Sequence, residues 1–257
     1  MNPFVSIISV TYQAEQFLEK TMFSILNQDC SDFEYLIIDG NSTDKTTEII
    51  KLFETQIKEG IYAIKPSNFH WISEPDKGLY DAMNKGLRMA KGKYLWFINA
   101  GDKIHAPTTL KEVTRLIKQY SETDIIYGQS LMIDRNDNPL GERHKIAPKH
   151  LTKKSLLKGL VVCHQSILVN KGIAPLYDLN YKIAADYDWV VRVLSLSKQN
   201  TYINDYLSDF MIAGTSSLHR KQALKERFLI MKKHFGLCRT LWAHLIIVLK
   251  YPFTQKY

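Results

Sequence analysis

Four short polar segments follow four predicted β-strands, and each contains side chains that could bind a ligand. They hold Thr11 and Tyr12 after the first strand, Asp39 after the second, Asp76 after the third, and Asn99–Asp102 after the fourth. Ligands of open parallel sheets bind at the carboxyl ends of the strands, so we expect these segments to line one crevice. One such segment alone is equally well explained by a turn or a helix cap. Four on the same edge favour a binding site.

The sequence lacks the two commonest glycine-rich cradles for phosphate groups, GxGxxG after the first strand and GxxxxGK[ST] anywhere. This argues against a Rossmann dehydrogenase and a P-loop kinase. A nucleotide diphosphate bound here would need another countercharge, and Mg²⁺ or Mn²⁺ held by carboxylates is the usual one. Asp102 is placed for that role, and Gly101 would let the backbone turn sharply before it.

Alternating strand and helix signals in the first half predict an α/β fold with a mainly parallel sheet. Tyr94–Ile98 is apolar on both faces, which is typical of a central strand covered by helices on both sides. The other predicted strands are 5–11, 35–38 and 69–73, and the predicted helices are 15–27, 45–58, 79–90 and 108–120.

The second half is less regular. Its predicted strands are 125–133, 164–169 and 201–212, the first and last being one strand or two, and its predicted helices are 188–196, 220–235 and 237–249. A loop at 213–217 could close over phosphate groups or be an ordinary solvated loop.

Six ordered motifs in roughly the first 105 residues resemble the family 2 inverting glycosyltransferases of the GT-A fold. They are Val10-Thr-Tyr-Gln with Glu15, then 38–44, 73–78, 84–86, 92–94 and 99–102. The stretch Ser73–Asn84 resembles the branch that includes colanic-acid-type exopolysaccharide transferases. The resemblance implies a GT-A (Rossmann-like) fold, and transfer of a sugar from a nucleotide-diphosphate donor, expected to be UDP-linked, to a glycan or lipid-linked acceptor in polysaccharide synthesis.

The resemblance also implies donor-site roles for residues of the first half. Thr11, Tyr12 and Asp39 would hold the nucleobase and ribose. Glu15 would support them or cap a helix. The remaining residues implied near the nucleotide or sugar are Asp76, Lys77, Asn84, Asn99 and Gly101.

The segment Asn99–Asp102 would correspond to the Asp-x-Asp metal motif of the family. Asn99 stands where many members have Asp, so Asp102 would be the only charged ligand of the metal.

An inverting transfer needs a carboxylate that deprotonates the acceptor hydroxyl. Asp186 and Asp188 are the two candidates, and the resemblance to the family's Glu-Asp element favours Asp186 as the base. Ala185 replaces the usual Glu. Asp188 is expected on the acceptor side or as a cap of the following helix.

Cys163-His-Gln-Ser166 is a second polar cluster in an apolar context. The resemblance implies that His164 and Gln165 lie near the acceptor, whereas a hydrogen-bonded, half-buried histidine is the alternative. A Cys163–His164 nucleophilic pair is disfavoured, because neighbouring strand residues point to opposite faces.

The positive charge of the chain is concentrated in residues 219–257, which contain nine Lys or Arg and one acid, Glu226. The other 218 residues balance at 25 of each sign. We therefore expect no nucleic-acid partner. Trp242 and Tyr251 flank a short apolar run, a pattern that favours an in-plane helix on an anionic membrane surface. Docking on the body or a dimer contact are the alternatives.

These patterns divide the chain into a nucleotide-sugar half at 1–105, an acceptor half at 106–218 and basic helices at 219–257. Three distant cysteines and the absence of a signal-peptide pattern predict a cytoplasmic protein. If the basic tail binds a membrane, the protein would be peripheral on its inner face.

Two other functions stay open at this point. A sugar nucleotidyltransferase should have a glycine-rich basic loop after the first strand, which Thr11–Glu15 lacks. A non-catalytic nucleotide-sugar-binding or membrane-surface subunit would tolerate the departures at Asn99 and Ala185.

Overall fold

The structure, a computed structural model, describes residues 3–120, 123–212 and 220–250, with the side chains of 247–250 excepted. Its strands are β1 Val5–Thr11, β2 Phe33–Asp39, β3 Phe69–Ser73, β4 Tyr94–Phe97, β5 Lys103–Ile104, β6 Ile125–Ile133, β7 Pro139–Glu142, β8 Ile167–Asn170 and β9 Asn200–Met211. Its α-helices are α1 Leu18–Leu26, α2 Thr46–Lys58, α3 Leu79–Met89, α4 Thr109–Gln119, α5 Ala185–Leu196, α6 Arg220–Phe235 and α7 Leu237–Lys250.

One mixed sheet has the strand order β3-β2-β1-β4-β8-β6-β9-β5, with β7 paired to β6. The strands β3, β2, β1 and β4 are parallel, as predicted from the first half. The strand β8 runs antiparallel to both β4 and β6, and β6 and β9 are parallel to each other. The second half therefore extends the sheet from β4 rather than forming a separate one.

The strands β1 and β2 are buried along their whole length, because helices cover both faces of the sheet. Alternate residues of β1 enter opposite cores. Ile8 packs with residues of α3 and α5, whereas Ile7 packs with residues of α1, α2 and α4. This two-sided burial fixes the carboxyl ends of the parallel strands at one edge.

The helix α6 is part of the body rather than a free tail. Ile230 and Met231 are buried in the same core as α5. The predicted division at residue 218 falls within 213–219, which lies outside the described residues. The helix α7, in contrast, exposes several large apolar side chains: Leu237, Leu241, Trp242, Leu245 and Ile246. None of the helices in the described ranges is long and apolar enough to cross a membrane.

Candidate active site

The polar strand ends lie side by side at one edge of the sheet. Thr11 is in register with Asp39, and Asp39 is in register with Ser73. The Gly40 amide donates to the Thr11 carbonyl at 2.9 Å, and the Ala100 amide approaches the Val10 carbonyl at 3.4 Å. The structure thus brings together the four segments that the sequence predicted to line one crevice.

Asp39 is fully buried and joins the segments that follow β2 and β3. Its carboxylate accepts hydrogen bonds from the Ser42 amide at 2.9 Å and from the Ser42 and Ser73 hydroxyls at 2.5 Å. These contacts fix the crevice wall. The neighbouring Thr11 hydroxyl is buried without a hydrogen-bond partner among the described residues, so it is free to pair with a ligand.

Gly40 allows two expected donor-site residues to approach each other, a role that sequence reasoning missed. A Cβ atom at this position would lie 2.7 Å from Asp76 Oδ2 and 3.3 Å from Tyr12 Cδ2. Tyr12 is 65% exposed, so its ring can stack on a planar ligand. Asp76 accepts the Gly78 amide at 2.7 Å, and the Lys77 side chain is exposed beside it.

The side chains of two residues expected at the donor form hydrogen bonds with backbone groups of the protein. Glu15 accepts the Lys45 amide at 3.0 Å at the start of α2, which is the capping role that the sequence left open. Asn84 is only 2% exposed, and its amide makes two hydrogen bonds, at 3.0 and 2.7 Å, with the backbone of Tyr177. In this structure Asn84 is a clamp between α3 and the segment before α5.

The Asp102 side chain is turned into the protein. Its carboxylate accepts the Gln165 side-chain amide at 2.8 Å and the Met211 backbone amide at 3.1 Å. Burial raises the pKa of Asp102 to about 7, although both hydrogen bonds oppose this shift. The carboxylate ties the turn after β4 to the end of β9.

The turn does not fit a preformed Mg²⁺ or Mn²⁺ site. Both oxygens of Asp102 are engaged by protein donors, and the buried Asn99 side-chain oxygen, which has no partner among the described residues, is neutral. Gly101 has φ +101°, a backbone conformation that L side chains rarely adopt, so this position of the turn is suited to glycine rather than to a metal ligand. Across the described ranges, no three His, Cys, Asp or Glu side chains cluster as metal ligands.

His164 and Gln165 lie in a 3₁₀ turn, not in the predicted strand. His164 is buried among Phe97 and Trp189 and pairs with the Tyr177 hydroxyl at 2.7 Å. Burial lowers its pKa to about 4, so the imidazole is neutral at pH 7. His164 thus packs within an aromatic cluster, and Gln165 contacts Asp102.

Asp186 lies in the first turn of α5, not before the helix as predicted, and its side chain is half-buried. Its Oδ1 atom accepts the Tyr187 amide at 2.8 Å and lies 3.4 Å from the Tyr80 hydroxyl. Tyr80 belongs to the first turn of α3, which begins directly after Gly78. The Asp76–Gly78 segment and Asp186 are therefore linked through one side chain.

Asp188, expected on the acceptor side, is completely buried in an ion-pair cluster. It accepts Arg192 Nε at 2.6 Å and pairs with His234 Nε2 at 2.7 Å. Burial favours the neutral acid, but the hydrogen bond to His234 and the Arg192 charge outweigh it and lower the Asp188 pKa. In this structure Asp188 joins α5 with α6.

Glu226 is the residue that sequence reasoning missed most clearly. Its buried carboxylate accepts the backbone amides of Lys182, Ile183 and Ala184 at 3.0, 2.8 and 2.9 Å. Its only signal in the sequence is that it is the single acid in a basic segment. The predicted phosphate loop at 214–217 and Tyr251 lie outside the described residues.

The family described as Glycosyl transferase family 2 matches residues 6–228. A PGL/p-HBAD biosynthesis glycosyltransferase of Mycobacterium bovis (strain BCG / Pasteur 1173P2) is 32% identical over 197 residues, covering 75% of this chain and 70% of the relative. An uncharacterized glycosyltransferase of Methanocaldococcus jannaschii is 28% identical over 247 residues, covering 91% and 82%.

Two solved structures share the fold. S. aureus TarS 1-349 in complex with UDP has a TM-score of 0.67 at 15% identity, covering 90% of this chain and 66% of that one. The mannosyltransferase PcManGT from Pyrobaculum calidifontis, in complex with GDP-Man and Mn²⁺, has a TM-score of 0.69 at 14% identity, covering 99% and 73%. These likenesses confirm the predicted GT-A-type fold. With the ordered motifs and the family match over most of its length, the chain belongs to glycosyl transferase family 2.

Proposed function

We propose that this glycosyltransferase moves a sugar from a nucleotide-diphosphate donor to a hydroxyl group of a saccharide or lipid-linked acceptor, with inversion at the anomeric carbon. The crevice formed by Thr11, Tyr12, Gly40 and Asp76 is the proposed nucleoside site. The relatives bound to UDP and to GDP-Man support a nucleotide-linked donor. We retain the uridine base and the polysaccharide role of the colanic-acid branch as predictions.

The contact between Tyr80 and Asp186 is the observation that carries this proposal. It connects the segment behind the nucleoside crevice to a half-buried carboxylate on another helix. In the proposed step the acceptor oxygen attacks the anomeric carbon, the bond from that carbon to the diphosphate oxygen breaks, and Asp186 takes the hydroxyl proton. The nucleoside diphosphate leaves with the electron pair of the broken bond.

A panel of UDP- and GDP-sugars tests the proposal through donor binding and hydrolysis. We expect one donor to bind and to be turned over slowly with water as acceptor. Binding without turnover of any donor, in the presence of candidate saccharide and polyprenyl-linked acceptors, would favour the non-catalytic subunit instead.

A requirement for Mg²⁺ or Mn²⁺ remains a prediction. The Mn²⁺ in the mannosyltransferase complex supports it, whereas the protein hydrogen bonds of Asp102 weigh against a preformed site. Donor turnover after EDTA treatment, with and without added Mn²⁺, decides between the two. Full turnover in EDTA would contradict the requirement.

We further propose that α7 lies on an anionic membrane surface. Leu241 and Trp242 are 52% and 65% exposed. They belong to the C-terminal segment 219–257, which contains the entire charge excess, with six of its nine basic residues on the neighbouring helix α6. Truncation at residue 218 is a poor test, because it removes the core residues of α6. Flotation with phosphatidylglycerol vesicles should instead compare the intact chain with L241S/W242S. Leu140→Ser, at a 55% exposed leucine elsewhere, is the control, and equal flotation of all three would contradict the proposal.

A further inference from the structure

Two basic side chains that follow β7 are fastened to the same short segment of backbone. Arg143 Nη2 donates to the Leu160 carbonyl at 3.2 Å, and Lys145 Nζ donates to the Lys158 carbonyl at 2.9 Å. A Cβ atom on Gly159 would lie 2.5 Å from Lys145 Nζ, so the glycine leaves room for the ammonium group. The two positive charges therefore lie together, beside the backbone of residues 158–160.

Arg227 of α6 is exposed, and it lies close enough for its positive charge to act on Lys145. Burial lowers the Lys145 pKa to about 8, and the charges of Arg227 and Arg143 lower it further in the same direction. The residue is thus surrounded by like charge as well as partly removed from water. Such an arrangement disfavours the charged lysine unless an anion is present.

Protein carboxylates do not neutralise these three cations. Within the described ranges, none of the three forms a salt bridge, although twelve such contacts are found elsewhere. The second terminal nitrogen of Arg143, Nη1, is buried and has no hydrogen-bond partner in those ranges. A buried guanidinium donor without a partner is unusual, and it marks the position where an acceptor oxygen would bind.

Arg143 lies near the chain that leads to the Asp102 turn, because it donates to Leu160, three residues before Cys163. Burial raises the pKa of the Cys163 thiol and the nearby Arg143 charge opposes this shift. That thiol donates to Gln165, which in turn donates to Asp102. The Tyr187 hydroxyl of α5 donates to the Leu156 carbonyl, two residues before the backbone carbonyl that binds Lys145.

We propose that Arg143, Lys145 and Arg227 form a binding site for a phosphate or diphosphate group of a substrate. Two arginines and a lysine supply the planar and point-charge donors that phosphate oxygens accept. The inference rests on the proposed function for its substrate class, because both the donor and a lipid-linked acceptor contain phosphate. It supplies from protein side chains the countercharge that the Asn99–Asp102 turn does not present.

Calorimetric titration of the full chain with inorganic pyrophosphate tests the site directly. We expect wild-type protein to bind it, and R143Q/K145M to bind it about tenfold or more weakly. R227Q should also weaken pyrophosphate binding. The single variant Arg143→Lys keeps the positive charge, so it should bind more tightly than R143Q/K145M but less tightly than wild type. Lys149→Gln and Lys225→Gln are controls, because each removes one exposed positive charge within four residues of Lys145 or Arg227 in the sequence. Folding of each variant is checked by its thermal transition.

Equal pyrophosphate affinity in wild type, R143Q/K145M and the controls overturns the proposal. Equal weakening by Lys149→Gln and Lys225→Gln also overturns it, since the cations would then attract anions only through their general field. A selective loss in the cluster variants supports it.

Two further titrations identify the source of the phosphate. If the cluster binds the donor, R143Q/K145M lowers the affinity for UDP but not the affinity for uridine. If it binds the acceptor, the affinity for UDP is unchanged, and the affinity for farnesyl diphosphate falls while that for farnesol does not. Intact donor turnover with no effect of the cluster variants would refute this site and leave the proposed function standing. Pyrophosphate binding at the cluster, without binding of any nucleotide sugar, would support this site and contradict the proposed function.

Discussion

The Glu226 carboxylate accepts the backbone amide of Ala184 at 2.9 Å, two residues before Asp186. Helix N-termini leave backbone amides without intrahelical partners, and side chains from the same turn usually cap them. Here the cap of α5 comes from α6, 42 residues later along the chain. Together with the amides of Lys182 and Ile183, this contact sets the direction from which the chain enters the first turn of α5.

Replacing Glu226 with Gln should lower turnover without changing donor affinity. The Gln side chain presents an NH₂ group where one carboxylate oxygen now accepts amides, so residues 182–184 and the following Asp186 should shift. We expect a reduction in kcat of about tenfold, with the donor KM unchanged, and a loss of about 1–3 kcal/mol in the free energy of unfolding.

The neighbouring Lys225→Gln variant is the control for the Glu226 experiment, since its side chain is exposed on the same helix. Steady-state kinetics at a temperature where both variants are folded separate positioning from stability. An unchanged kcat in Glu226→Gln would show that the cap does not position the base.

Asp186→Asn should abolish transfer and leave donor binding intact, because the amide keeps the side-chain shape but cannot accept the acceptor proton. A base typically contributes a factor of about 10²–10⁴ to the rate. Asp205→Asn is a closely matched control, since both carboxylates accept the amide of the following tyrosine, at 2.8 Å for Asp186 and 2.7 Å for Asp205. Turnover by Asp186→Asn within threefold of wild type, about the size of an indirect effect, would contradict the assignment.

Asn84→Ala should destabilise the protein rather than remove a donor contact. The substitution leaves the buried Tyr177 amide and carbonyl without their partners, a loss of about 2–4 kcal/mol for two backbone groups. Thermal unfolding should therefore shift downward by several degrees, while UDP affinity measured below the transition stays as in wild type. Asn180→Ala, at an exposed asparagine, should have little effect on either quantity. A tenfold loss of UDP affinity with unchanged stability would return Asn84 to the donor site.

His164 should make the protein less stable as the pH falls. Its folded pKa of about 4 lies below the ordinary 6.5, so the unfolded state binds the proton first. The stabilising contribution of the neutral ring is complete above pH 6.5 and is lost progressively toward pH 4. For this one group the linkage gives a loss of about 2 kcal/mol between pH 7 and pH 5.

Urea unfolding of wild type and His164→Phe at pH 7 and pH 5 isolates this contribution. The variant removes the titrating group from an aromatic cluster, so other acid-dependent losses are common to both proteins. We expect a smaller decrease in stability for the variant over the same interval. Equal decreases in the free energy of unfolding of both proteins would mean that His164 has the same pKa in the folded and unfolded states.

The donor half was predictable because its local patterns and its long-range packing agree. Apolar runs such as Tyr94–Phe97, bounded by turn residues and alternating with helices, are typical of buried strands, and the polar residues that end them share one edge. The predicted bounds differ from the structure by a few residues at most in this half, apart from Glu15, which caps α2 rather than beginning α1.

The acceptor half was less predictable because its structure depends on contacts between distant residues. The apolar pattern around His164 resembles a strand, but the residues 164–166 form a 3₁₀ turn in which His164 packs against Trp189. Asp188 lies in the first turn of α5, yet it pairs with His234 of α6 instead of capping its own helix. Glu226 lies within α6, yet it caps the start of α5. Neither partner is visible from spacing along the chain.

The contact between Glu226 and the start of α5 also orders events during synthesis. Asp186 leaves the ribosome about 40 residues before its helix cap, while the parallel strands that hold the nucleoside crevice are already complete. Domains fold as units, and one core joins α3, α5 and α6. A chain that ended before Glu226 would therefore contain Asp186 but lack the contact that fixes the start of α5.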